Sequence, residues 1–205
     1  MNATQKYTRP LYVLFGLQAL VVLRFLIQLL GNVFSFSPGS ELFTWLGNGL
    51  TVAAAVCLLI LPNCSRLGGM LMIWALIVEL VPLLPLHLNF PAMTADDLRT
   101  VSTVCYWVSL ALNLAALFCV FSGYGHLAPS VAKAWNILFG AQLAIAVVGL
   151  AASFLLGDTL TNLVESGALW VMTLSGILSG LLSLALGTAH LLLLYRTADA
   201  VRKEK

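Results

Sequence analysis

Arg24 and Glu79 stand deep inside apolar stretches of this 205-residue chain. A charged residue at the centre of a membrane helix costs about 2.5–3.5 kcal/mol on insertion scales, so each marks either a brace or a site. At about 1.5 Å per residue, Arg24 lies roughly 20 Å along its stretch and Glu79 roughly 18 Å along its own. The two stretches run in the same direction, so the charges share a depth. A direct Arg24–Glu79 pair would leave neither alone in hydrocarbon. The alternative is a polar cavity in which one of them meets a ligand. Gln28 follows Arg24 by one helical turn on the same face. Asn48 and Thr51, on the next stretch, reach a comparable or slightly more external depth. Arg24, Gln28, Asn48, Thr51 and Glu79 are therefore the expected ligand-binding set, in an outward-facing pocket. Pro82 and Pro85 lie just beyond Glu79, and each removes a backbone donor, which predicts a bend there.

A second polar layer is expected lower down, where Gln18, Asn113 and Gln142 fall about 12–14 Å from the inner face by the same rise. Hydrogen bonding between helices accounts for residues of this kind. The last apolar stretch carries a ladder of small residues, Gly176, Ser179, Gly180, Ser183 and Gly187. Small residues at this spacing let helix backbones approach closely, either within one bundle or between subunits. His190 shares the face of Gly187, being three residues further on. A packing role is the plain reading of His190, and a proton relay the sharper one.

Much chemistry is missing. The sequence contains no HExxH or GxSxG motif and no glycine-rich phosphate loop. Every Asp falls in a connection or in the C-terminal tail, which argues against paired intramembrane aspartates. His87, His126 and His190 belong to different helix ends, so no metal or haem site is expected. Four cysteines occur without a CxxC pair, which excludes a zinc ribbon and a disulfide scaffold. The formal net charge is only +2, and no basic stripe interleaved with aromatics exists for nucleic acid. The chain is expected to be neither an enzyme nor dependent on a cofactor.

The elements that position these residues are legible in the composition. Hydrophobic residues make up 60% of the chain and charged residues 9%, against about 25% charged in soluble domains. Mean hydropathy is +0.99. A helix needs about 20 apolar residues to cross a bilayer. Six such stretches are predicted, at 11–31, 43–61, 67–88, 101–121, 134–156 and 168–194. The fold class is thus an all-α integral membrane protein, a six-helix bundle forming one polytopic domain over 1–205 with no soluble domain. Ser37-Pro38-Gly39-Ser40, Pro62-Asn63, the capping-box spacing of Thr94 and Asp97, Pro129-Ser130 and Gly157-Asp158 separate the stretches. The first stretch is too long for the apolar core of a signal peptide and is expected to be retained.

Lys6, Arg9, Arg66, Lys133, Arg196, Arg202, Lys203 and Lys205 fall on one side of this topology. The other side carries Arg99 among Glu41, Asp96, Asp97, Asp158 and Glu165. The positive-inside rule then places both termini in the cytoplasm, with the chain in a plasma or inner membrane. Leu14-Phe15-Gly16 with Gln18 recurs as Leu138-Phe139-Gly140 with Gln142, and Ala53-Ala54 with Cys57 recurs as Ala115-Ala116 with Cys119. Three parallel helical-hairpin repeats would explain both recurrences. Two functions follow from these features. The first is binding or transport of a small solute at the polar site. The second is a non-catalytic accessory role, in which the ladder of the last helix joins a second copy or a partner membrane subunit. The bilayer is the one partner that the composition demands.

Overall fold

A computed structural model describes residues 3–34, 40–62, 64–83, 94–165 and 169–203. Six α-helices account for nearly all of them: α1 (Ala3–Phe34), α2 (Ser40–Ile60), α3 (Cys64–Leu80), α4 (Ala95–Leu127), α5 (Ala132–Glu165) and α6 (Leu169–Lys203). No strand occurs among the described residues. Five helices are long and apolar enough to cross a membrane. The exception, α3, has 17 residues and tightens into a 3-10 turn at Val81–Leu83. Pro82 sits in that turn, where its missing N–H ends the α-helical ladder. Pro85, His87 and the turn signal Ser37-Pro38-Gly39 lie outside the described residues.

Local signals explain the other boundaries. Thr94 caps α4: its hydroxyl accepts from the Asp97 N–H at 3.2 Å, and its own N–H donates to the Asp97 carboxylate at 3.0 Å. This reciprocal box satisfies two donors that a helix start leaves open. Pro129 opens the short turn Pro129–Val131 between α4 and α5, as its fixed φ favours. One expected boundary is corrected. Gly157-Asp158 does not close the fifth helix, because α5 runs on to Glu165. A lone glycine in a helix costs about 1 kcal/mol, which a long run of apolar helix formers absorbs.

Helix α1 packs chiefly on α6 and α2, while α3 packs on α4 and α2. Among the described residues the core gathers at the end of the bundle that holds the start of α1, the end of α6 and the α2–α3 and α4–α5 turns. Leu11, Leu58, Leu61, Phe121, Tyr124, Trp135, Leu194 and Ala198 are all buried there. Trp135 anchors this end, with ring centroids 4.9 Å from Phe121 and 4.8 Å from Tyr124. Its indole N–H donates to the Thr197 hydroxyl at 2.9 Å, and that hydroxyl donates in turn to the Leu193 carbonyl at 2.8 Å.

Glycines set the helix spacing. A Cβ on Gly123 of α4 would lie 2.6 Å from the Ser65 backbone nitrogen of α3. A Cβ on Gly69 of α3 would lie 2.8 Å from the Ala55 carbonyl of α2. These close approaches hold α3 between its neighbours by van der Waals packing, the main attraction available between helices in lipid.

Candidate functional site

An interhelical cavity of about 310 Å³ lies between α1, α2, α3, α4 and α6. This is at the lower end of the ~300–1,000 Å³ typical of ligand pockets. From Leu14 to Val21 on α1, and from Leu50 to Leu58 on α2, it extends roughly 10–12 Å along the helix axes. Its walls are mostly apolar, including Leu17, Ala54, Met72, Ala116, Leu117, Val120 and Phe121. Five polar side chains interrupt them: Gln18, Thr51, Asn113, Tyr124 and His190.

These five come from four helices. Gln18 and Gly187 meet at the α1–α6 crossing, where the Gln18 amide nitrogen donates to the Gly187 carbonyl at 3.5 Å. The Thr51 hydroxyl donates to the Gly47 carbonyl at 3.0 Å, one turn earlier on α2. Asn113 links the cavity to Glu79. Its amide nitrogen lies 3.4 Å from Glu79 Oε1 and 3.3 Å from Ser109 Oγ. His190 stands edge-on to Phe121 and to Trp135, with centroid separations of 5.2 and 5.3 Å. Tyr124 is buried against Trp135 on the same wall.

Arg24 and Glu79 do not pair. Glu79 instead accepts a short hydrogen bond, 2.6 Å, from the hydroxyl of Ser109 on α4. The guanidinium of Arg24 rests against Gly47 of α2, where an added Cβ would lie 2.7 Å from Cζ and 3.0 Å from Nη2. The reason is topological: α2 lies between α1 and α3, and each of those helices packs on it. Arg24 Nε is buried without a hydrogen-bond partner. The ion pairs among the described residues are those of Asp199 with Arg202 and Lys203, on the last turns of α6.

The expected site residues are therefore distributed. Thr51 lines the cavity, whereas Arg24, Gln28, Asn48 and Glu79 do not. Gln28 and Asn48 are half-buried. The cavity sits lower than the expected pocket, at the level assigned to Gln18 and Asn113. Gln142 does not join them, and its carbonyl oxygen is buried without a partner.

Two residues of the small-residue ladder of α6, Gly180 and Gly187, face α1. A Cβ on Gly187 would lie 3.1 Å from Val22, and one on Gly180 3.0 Å from Leu29. Gly176 and Ser183 are half-buried and Ser179 is exposed.

Sequence reasoning missed Ser109, Tyr124 and the alanines Ala54 and Ala116. The spacing of Ser109 and Asn113, one helical turn apart, was the available signal for a polar face on α4. The alanines offered a second signal, since a small residue opens space where its neighbours are large.

The chain matches no family model, no curated protein and no solved structure. The cavity geometry is therefore the ground for any functional reading. Among the described residues, no group of three or more His, Cys, Asp or Glu is placed to hold a metal ion. The four cysteines, Cys57, Cys64, Cys105 and Cys119, are free thiols.

Proposed function

We propose that this chain is a multi-pass membrane protein that binds, and as a carrier moves, a small and predominantly apolar solute within its helix bundle. The observation that carries the reading is the 310 Å³ cavity, apolar in its walls and bearing Gln18, Thr51, Asn113, Tyr124 and His190 at separate points. A mostly apolar pocket with a few placed polar groups is the common form of a small-molecule site. In this reading all six helices span the membrane, α3 completing its crossing through the turn after Leu80. Both termini face the cytoplasm of a plasma or inner membrane, as the distribution of Lys and Arg favours. The role is non-catalytic. The hairpin repeat belongs to the same proposal: Ala54 and Ala116, at equivalent positions of the recurring motif, both line the cavity. Gly16 and Gly140, equivalent in the other motif, both have open space beside them. The competing accessory role drew on the α6 ladder, and Gly180 and Gly187 are already occupied by Leu29 and Val22 of α1.

Trp135 offers a reporter, because it is fully buried and touches three cavity-lining rings, Phe121, Tyr124 and His190. The protein would carry Phe at Trp45, Trp74, Trp107 and Trp170 and sit in phosphatidylcholine nanodiscs. Titration with a brominated long-chain methyl ester should quench Trp135 saturably, since bromine acts at short range. Ala54→Phe, which fills the cavity, should weaken that saturable component at least tenfold. Quenching that rises linearly with ester, or that ignores Ala54→Phe, would refute occupation of the cavity.

A further inference from the structure

Arg24 is a cation inside a helix long and apolar enough to span a membrane, and among the described residues no carboxylate stands against it. Its Nε is buried and unpartnered, and its guanidinium is seated on Gly47, a position where α2 has no side chain. Glu79, the carboxylate at matching depth, is engaged by Ser109 instead. An intramembrane charge left this way is costly, and its cost falls when a counter-ion arrives.

The location of the seat matters as much as its charge. Val21, three residues before Arg24 and on the same helix face, lines the cavity. Thr51, whose hydroxyl bonds to the Gly47 carbonyl, lines it too. The guanidinium is thus one helical turn beyond the end of the cavity on both α1 and α2. Tyr124 and Leu14 line its opposite end.

We propose that the solute of this cavity is an anionic amphiphile, its carboxylate or phosphate held by Arg24 over Gly47 and its apolar chain lying in the cavity. This rests on the cavity being a binding site. A guanidinium offers a planar fork of donors that matches either anion. The anion has two possible sources, a free lipophilic acid or the headgroup of an anionic bilayer lipid. Both present the same chemistry to Arg24.

The test uses the protein that retains only Trp135, in phosphatidylcholine nanodiscs, titrated with a brominated long-chain carboxylic acid and separately with its methyl ester. The wild-type Arg24 protein should bind the acid at least tenfold tighter than the ester. Arg24→Gln should erase that preference by weakening the acid alone, and Arg24→Lys should keep part of it. Equal affinities, or a preference that survives Arg24→Gln, would overturn the anion site while leaving the cavity reading intact. Absence of saturable quenching by either compound would overturn both. Should Arg24→Gln fail to fold, Gly47→Ala decides, because its Cβ displaces the guanidinium from its seat. The acid preference must then fall, and an unchanged preference counts against the proposal. Adding phosphatidylglycerol separates the sources. If it competes with the acid in the wild-type protein but not in Arg24→Gln, the anion is a bilayer lipid. If it does not compete, the anion is a free acid.

Discussion

Thr197 shows how a single hydroxyl can be committed twice. It accepts from the Trp135 indole at 2.9 Å and donates to the Leu193 carbonyl at 2.8 Å, and it has no exposed surface. Thr197→Val keeps the shape and leaves the indole N–H buried without an acceptor, which costs about 1–3 kcal/mol. Thermal unfolding in detergent should show that loss. Trp135→Phe combined with Thr197→Val should be less damaging than the sum of the two single changes, since together they leave no orphaned donor. A sum that is simply additive would mean the bond contributes nothing. Arg24 is the opposite case, a side chain with donors to spare, and Gly47 is what gives it room. Glu79 falls between them, a carboxylate satisfied by neutral donors rather than by a cation.

Helices α1 and α6 form one of the two most extensive seams of the bundle, and the glycines of α6 make it possible. Gly187→Leu would drive a side chain into Val22 and Phe25, where even a Cβ already lies 3.1 and 3.7 Å away. Overpacking of this kind costs about 1–3 kcal/mol. The expected outcome is a lower unfolding temperature with unchanged oligomeric state on size exclusion. A change in oligomeric state at full thermal stability would instead favour the accessory role. Gly16→Ala on α1 is the internal control. Nothing lies within 4 Å of its added Cβ, so stability should hold or rise slightly, by up to about 1 kcal/mol from helix propensity.

Among the described residues the buried cluster lies at one end of the bundle, and that end gathers most of the basic residues. Lys6, Arg9, Arg66, Lys133, Arg196, Arg202 and Lys203 flank the buried cluster around Trp135. If this is the cytoplasmic end, a reporter protein fused after Lys205 should fluoresce or be protease-protected in intact right-side-out cells. A reporter inserted in the connection between α1 and α2 should be accessible from outside. Reversal of both results would invert the orientation, and with it the side from which a solute approaches Arg24.

Composition alone was enough for an all-helical chain with several helices long and apolar enough to span a membrane. The bilayer imposes this through length and apolarity, and both are written directly in the sequence. The cap at Thr94 and the turn at Pro129 were equally legible, because each is a local hydrogen-bonding or steric effect within a few residues. Helix ends judged from a single glycine were not legible, as the passage of α5 through Gly157 shows. The candidate site lay beyond local signals altogether. Depth along a span can be counted from sequence, and by that count Arg24 and Glu79 matched. Which helix stands between two others cannot be counted. The placement of α2 between α1 and α3 separates the two charges, turns Glu79 to Ser109, seats Arg24 on Gly47 and leaves the cavity beneath. These outcomes depend on contacts between residues far apart in the chain, which only the packed tertiary structure selects.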